Sequence, residues 1–359
     1  MKRIIKKVLP RGLIYFYHGL VNYLVAFLLN FPSKKLVVIG ITGTKGKTTT
    51  SYLVYYLLKN LGYKVCLISS EFHLINDLEV ENEERVTMPG RGYIQKFLKR
   101  AVEEKCEIAV LEVTSEGLMQ NRHWGLYFDI AVFLGIHPEH IEHHGGFINY
   151  RNAKGKLFYA LTKNRIVKYL RGVPIKKTII VNIDDKEADY FLRFAAENKI
   201  TFGIENTLLN ANHLKPDKII YSSAGTKFSL NKINFRTKLL GKINLYNTLA
   251  SIAVMKALEI PLKEIVKSLA DFKGLPGRLE ILTYQKKKII IDYAHTPDSL
   301  AEVCKLTRNL MKPKRLLLLI GAAGGLRDKW KRPVLGEVAI TYADEVVITN
   351  EDPYDEEPR

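Results

Sequence analysis

The chain has 359 residues, 47% of them hydrophobic, and a formal net charge of +18. That length exceeds the usual single domain, so two or three domains are expected, and the apolar share is that of a globular protein. The cationic excess suits an anionic ligand, a membrane surface or nucleic acid, but it is spread along the chain, so specific nucleic-acid binding is not expected; Cys66, Cys106 and Cys304, none in a C-x-x-C, argue against a disulfide framework or zinc site and fit a reducing cytosol.

Residues 1–34 open on the basic MKRIIKK and continue with a mostly apolar run, Leu13–Phe31, carrying Tyr15, Tyr17 and Tyr23 and interrupted by His18, Gly19, Asn22 and Asn30. No small-x-small cleavage site follows, which weakens a signal-peptide reading. A run of about 19 residues is borderline for a transmembrane helix. Three readings stay open: a helix packed on the next domain, a span, or an interfacial helix giving residues 1–31 a peripheral contact with anionic lipid.

After Pro32-Ser33-Lys34-Lys35 the chain alternates strands and helices. Apolar runs at Leu36–Ile41, Val65–Ile68, Ile108–Val113, Ile130–Leu134 and Thr178–Asn182 read as strands, with helices such as Thr49–Leu61 and Ile94–Glu104 between them. This pattern predicts an α/β fold, a P-loop-type parallel-sheet domain over residues 35–272. Tyr221–Leu240 reads as shorter alternating strands, and Leu245–Leu258 as the helix that ends the domain.

Gly274-Leu275-Pro276-Gly277-Arg278 reads as a linker. Beyond it a second α/β unit, residues 273–359, is expected as a partial Rossmann-like domain. Its strands are Lys288–Ile291, Arg315–Ile320 and Glu345–Thr349, and its helices Ser299–Met311 and Val334–Tyr342.

The segment LVVIGITGTKGKTTT, Leu36–Thr50, carries the most chemistry. A strand, a glycine-punctuated turn with Gly43 and Gly46, then Lys47-Thr48 and a helix together form a triphosphate cradle. Backbone N–H groups wrap phosphate, the helix N-terminus adds partial positive charge, the lysine reaches the β and γ oxygens, and the threonine hydroxyl can ligate Mg²⁺. The strict P-loop pattern would place glycine at position 41, where Ile41 stands, so this is a variant cradle. Glu112, near the C-terminal end of a strand in the same sheet, is placed to hold Mg²⁺ or to form a structural ion pair. His137, His140, His143 and His144 cluster with Glu139 and Glu142; the spacing is weak for zinc, and a second Mg²⁺ is the better reading beside a solvated loop.

The motifs GITGTKGKTTT, LEVTSEGL, HPEHIEHHG, NYRNAK, GRLE and DYAHTPDSL occur in that order, and their ordered set resembles the Mur ligase family over residues 35–358. The resemblance implies a cytoplasmic, monomeric, ATP- and Mg²⁺-dependent ligase of peptidoglycan precursor synthesis, associated with the inner membrane face if residues 1–31 bind lipid. It would join an amino acid to a UDP-muramoyl-peptide carboxylate through an acyl phosphate. It implies nucleotide contacts from Gly43, Thr44, Lys45, Gly46, Lys47, Thr48, Thr49, Asn247, Arg278 and Asp292. It implies metal ligation through Thr48, Glu112, His140 and Lys154, the last being the family's carbamylated lysine. Catalytic roles fall to Lys47, His140 and Lys154, and substrate contacts to Thr87, Met88, Pro89, Asp352 and Tyr354. The chain departs from the family in its short N-terminal segment, in Glu116, Glu139 and Gly135, and in Glu351-Asp352-Pro353-Tyr354, which lacks the usual arginine. It also ends at Arg359 where the family continues, so a truncated reading of a longer chain is expected. Rival readings are a folylpolyglutamate-synthetase-like ligase, a membrane-tethered module that binds ATP without forming a bond, and a nucleic-acid-coupled P-loop ATPase.

Overall fold

The computed structural model describes residues 10–81, 86–137, 144–208, 212–324, 329–353 and 356–357. The chain divides into two compact units, one of residues 1–219, 228–236 and 242–272, the other of 220–227, 237–241 and 273–359.

Helix α1 (Arg11–Leu28) packs one stripe inward: Gly19, Asn22 and Ala26 are buried at helical spacing. Gly19 lies so close to the Trp124 ring that a side chain would not fit. Asn22, which interrupts the apolar run, donates to His18 O at 2.7 Å and accepts the Gly92 N–H at 2.8 Å. This face therefore takes the packed reading. No helix among the described residues is long and apolar enough to cross a membrane.

The first unit is built on β1 (Val37–Thr42), α2 (Lys47–Asn60), β2 (Val65–Ile68), β3 (His73–Ile75), β4 (Leu78–Glu79), α3 (Tyr93–Glu103), β5 (Ile108–Glu112), α4 (Ser115–Met119), β6 (Ile130–Phe133) and α5 (Phe147–Lys163). It continues through the hairpin β7 (Lys168–Leu170) and β8 (Val173–Ile175), then β9 (Thr178–Asn182), α6 (Ala188–Leu192), β10 (Asn198–Phe202) and β11 (His213–Leu214). Nine strands form one sheet in the order β11-β10-β9-β6-β1-β5-β2-β3-β4. All neighbours pair in parallel except the β2-β3 and β3-β4 pairs, which are antiparallel. β1, β5, β6 and β9 are buried along their whole length. A parallel sheet with helices on both faces demands this, and it is why these strands read as continuous apolar runs. Each buried Val, Ile or Leu contributes about 1.5–3 kcal/mol.

The chain passes from β5 on one side of β1 to β6 on the other, so the loops leaving the carboxyl ends of these three strands meet at a topological switch point. Ile41 pairs with Glu112 on one side and Val132 on the other, which sets the end of β5 level with the mouth of the glycine loop. At the opposite end of the sheet Asp129 is fully buried and accepts from Val38 N–H at 2.7 Å, Lys168 Nζ at 2.7 Å and Lys177 Nζ at 2.6 Å. Burial draws the Lys168 ammonium down to about 8, against the pull of Asp129.

β12 (Asp217–Ser222), β13 (Gly225–Leu230) and β14 (Ile233–Thr237) form a three-stranded sheet that starts four residues before the region read as shorter strands, and α7 (Gly241–Ala257) and α8 (Leu262–Asp271) follow. The second unit then holds β15 (Glu280–Tyr284), β16 (Lys287–Ile291), α9 (Pro297–Leu306), β17 (Leu317–Ile320), α10 (Lys331–Tyr342) and β18 (Glu345–Ile348). Leu300, Cys304 and Leu335 form its core. β17 and β18 pair in parallel, as a Rossmann-like unit requires. The strand expected at Lys288–Ile291 does not join them. It pairs antiparallel with β15 across a two-residue turn, Gln285-Lys286, both at positive φ. Such a turn matches strand twist, but without glycine it leaves little mark in the sequence.

Candidate active site

The glycine loop leaves β1 at Gly43 and enters α2 through Gly46, which is left-handed at φ 82°. A Cβ at Gly46 would run into Asn247 Oδ1, so the position needs glycine for both backbone and space. Asn247 Oδ1 accepts from Thr50 Oγ1 at 3.3 Å, and its Nδ2 donates to Asn244 Oδ1 at 3.0 Å. The asparagine of α7 is thus fixed against the cradle. Thr44 N–H donates to Gly135 O at 2.9 Å, and Thr44 Oγ1 accepts the His137 N–H at 3.0 Å, so the loop after β6 braces the cradle from its other side.

Lys47 folds back over the loop and donates to Thr44 O at 2.9 Å. Thr48 and Thr49 are buried in the first turn of α2, and Lys45 is half-buried. Thr48 Oγ1 donates to Glu112 Oε2 at 3.0 Å. Glu112 is buried and also accepts from Ser70 N–H at 3.0 Å and Ser70 Oγ at 3.1 Å. Ser70 Oγ in turn lies 2.7 Å from Thr87 Oγ1. A chain of polar contacts therefore runs from the cradle threonine to the Thr87-Met88-Pro89 turn. Met88 is buried against Gly117 and its carbonyl accepts from Arg122, which leaves Thr87 as the side chain of that turn within the polar network.

Tyr150 and Lys154, four residues apart, share one face of α5. Tyr150 OH lies 3.0 Å from Thr44 Oγ1, and the buried Lys154 donates to Gly43 O at 2.8 Å. Lys154 sits 4.6 Å from the centre of the Tyr150 ring. The lysine is not the plain surface residue it could have been: it reaches the backbone that opens the cradle. Buried His144 Nε2 lies 3.1 Å from Ser115 Oγ. His140 and Tyr354 lie outside the described residues.

In the second unit Asp292 Oδ2 accepts the Leu279 N–H at 2.8 Å, and burial pushes its carboxyl above the usual carboxylate range. The Arg278 guanidinium stacks 4.3 Å from the Tyr293 ring centre. Asp352 is exposed, and its carbonyl accepts the Gly324 N–H at 3.0 Å.

Among the described residues no group of three or more His, Cys, Asp and Glu side chains could hold a metal. The Thr48–Glu112 pair nonetheless offers the hard oxygen donors that Mg²⁺ takes together with phosphate oxygens and water. The crowding of Gly46 and the open N-terminus of α2 fit a bound phosphate. Ser70 and Tyr150 were missed in the sequence. Ser70 follows the carboxyl end of β2, a strand of the same sheet, by two residues, which was a usable signal; Tyr150 belongs to the motif that contains Lys154.

The Mur ligase middle domain family matches residues 41–255, and the Mur ligase glutamate ligase domain family matches residues 277–359. The chain belongs to the Mur ligase family. It is 35% identical over 335 residues to the UDP-N-acetylmuramoyl-L-alanyl-D-glutamate--2,6-diaminopimelate ligase of Clostridium botulinum, covering 91% of this chain and 65% of that protein. The ligase of the same name from Bacillus cereus is 34% identical over 334 residues, with 91% and 65% covered. The chain thus spans about 65% of the length of these curated relatives. A solved structure of a protein with that name superposes with a TM-score of 0.67 at 26% identity, over 90% of this chain and 63% of that one. The Mur ligase fold extends to the folylpolyglutamate synthase of Mycobacterium tuberculosis, with a TM-score of 0.70 at 16% identity over 91% and 77% of the two chains.

Proposed function

We propose that the chain acts as an ATP-dependent ligase that joins an amino acid to a carboxylate of a UDP-N-acetylmuramoyl-peptide, as a cytoplasmic monomer. One observation carries the reading: the cradle, the Thr48–Glu112 pair and buried Lys154 converge on Gly43–Thr48. Family membership and the printed names of the relatives support it.

In this reading a substrate carboxylate oxygen attacks the γ-phosphorus of ATP, the bond to the β–γ bridging oxygen breaks and ADP leaves. The amine lone pair of the incoming amino acid then attacks the carbonyl carbon of the acyl phosphate. The tetrahedral adduct collapses with loss of inorganic phosphate, and the nitrogen gives up a proton. Two anions, carboxylate and γ-phosphate, must approach each other, so fixed positive charge has to screen them. Lys47 would exchange Thr44 O for β and γ oxygens, and the amides of Lys45 and Gly46 would hold the phosphates. Thr48 and Glu112 would hold Mg²⁺, which supplies further screening when bound. Lys154, as a carbamate, and His140 would serve a second Mg²⁺. Asn247, Arg278 and Asp292 would contact the nucleotide, Thr87 the sugar-nucleotide side, and Asp352 with Tyr354 the amino acid.

The test is inorganic phosphate release from ATP and Mg²⁺ with UDP-N-acetylmuramoyl-L-Ala-D-Glu and a panel of diamino acids, with Lys47→Ala as the control. Release that requires acceptor and amino acid together, and is lost in the control, is expected. ATP binding with no acceptor-dependent release overturns the reading in favour of a nucleotide-binding module that forms no bond.

A further inference from the structure

We propose that α1 seats the protein flat on the surface of an anionic phospholipid bilayer. The helix is apolar on two sides. Its inner stripe packs on the first unit through Asn22 and Ala26. Its outer stripe, Leu13, Tyr17, Leu20, Leu24, Phe27 and Leu28, follows the same helical spacing, and each of these side chains is between 39% and 79% exposed. Scattered apolar residues on a surface are ordinary, but a continuous stripe along five turns of one helix marks a binding face. No Lys, Arg, Asp or Glu occurs from Gly12 to Ser33, so nothing charged opposes burial of that stripe. Tyr17 combines an apolar ring with a hydroxyl, as residues at a headgroup boundary do.

The charge around the stripe selects the occupant. Seven Lys and Arg flank the stripe in sequence, Lys2, Arg3, Lys6, Lys7, Arg11, Lys34 and Lys35, and no Asp or Glu occurs before Glu71. Lys163 lines a pocket of about 440 Å³ together with Leu20 and Tyr23, and no carboxylate lines it. At the other end Lys35 lines a cleft with Leu28, Leu29 and Lys99, whose ammonium is paired with Glu103 at 3.0 Å. The Lys34 ammonium lies 4.3 Å from the Phe31 ring centre, beside the end of the helix. An apolar stripe rimmed by cations matches acyl chains beneath anionic headgroups. A second copy of the chain would set Lys34, Lys35 and Lys163 against cations of the same kind, whereas anionic headgroups pair with them. The geometry calls for a helix lying in the interface and not for a span, since the opposite face is already packed on protein.

The full-length protein is co-sedimented with vesicles of phosphatidylglycerol and phosphatidylethanolamine in equal parts, and with phosphatidylcholine vesicles. A Leu13→Glu, Tyr17→Glu, Leu24→Glu triple variant is compared; these side chains point to solvent, and an unchanged thermal midpoint shows that the variant folds. The expected result is binding of the parent protein to the anionic vesicles alone, reduced about tenfold or more in the variant. Failure of the parent protein to bind anionic vesicles overturns the proposal, as does equal binding of parent and variant. A dimer in solution that the variant splits into monomers also overturns it, because the stripe is then covered by a second copy. None of these readouts depends on ligase activity, so the proposal and the function proposed above fail separately.

Discussion

Thr48 Oγ1 donates to Glu112 Oε2 at 3.0 Å, which joins the first turn of the cradle helix to the last residue of the neighbouring strand. The same carboxylate holds Ser70 through both its N–H and its hydroxyl. Glu112 therefore orients the threonine that would meet Mg²⁺ and ties it to the Thr87 turn.

Glu112→Gln keeps the shape and removes the charge. The Mg²⁺ concentration giving half-maximal ATP turnover is expected to rise about tenfold or more, as loss of a metal-orienting carboxylate does. A Mg²⁺ titration of phosphate release checks this. Unchanged metal dependence would make Glu112 a purely structural acceptor for Thr48 and Ser70.

Lys154→Ala is expected to cut turnover by about a hundredfold or more, since it removes both the contact to Gly43 O and any carbamate-borne charge. Added short carboxylates restore part of the rate if a carbamate on Lys154 serves the metal. Kinetics of the variant with and without acetate separate the roles. A fall in activity with no rescue would leave the lysine as a brace for the loop.

Asp129→Asn leaves Lys168 and Lys177 buried without a counter-charge. Breaking a buried ion network from one side costs about 3–5 kcal/mol. Urea unfolding should show a stability loss of that size, read as a lower midpoint with an unchanged slope. A smaller loss would mean that the two ammonium groups reach water when their partner is neutralised.

His123 is buried, and burial, assisted by nearby Lys156, holds its ring down at about 3. In the unfolded chain the ring takes a proton near its ordinary 6.5. The unfolded state therefore binds more protons across that window. The stability contributed by the neutral ring is full above 6.5 and is lost as pH falls toward 3, by at most ~1.4 kcal/mol per pH unit. His73, held down to about 4 by burial, adds to the same slope. Urea midpoints measured on both sides of 6.5 should show the loss, and His123→Gln should reduce its steepness.

The cradle, the parallel strands and the helices around them were readable because their signals are local: β-branched runs, a glycine pair, Lys47-Thr48 and helical periodicity. Hairpins built on turns such as Gln285-Lys286 were not, because non-glycine residues at positive φ look like any polar pair. The site divides in the same way. Lys47 and Thr48 follow from spacing alone, whereas Ser70 and Tyr150 work through partners 42 and 106 positions away, which no local pattern encodes. Placing Lys154 and Asn247 beside the cradle rested on family resemblance, and the helical spacing of Tyr150 and Lys154 gives it a geometric reason.

Asn247 reaches the cradle from 197 positions beyond Thr50. The loop that would grip phosphate is made early in synthesis, but the side chain that packs over Gly46 arrives only with α7. A ribosome that has released the chain only through α5 thus presents a glycine turn braced by Tyr150 and Lys154 but lacking the Asn247 wall. Completion of the cradle has to wait for the end of the first unit, which couples its assembly to the long-range topology and not to the motif that announces it.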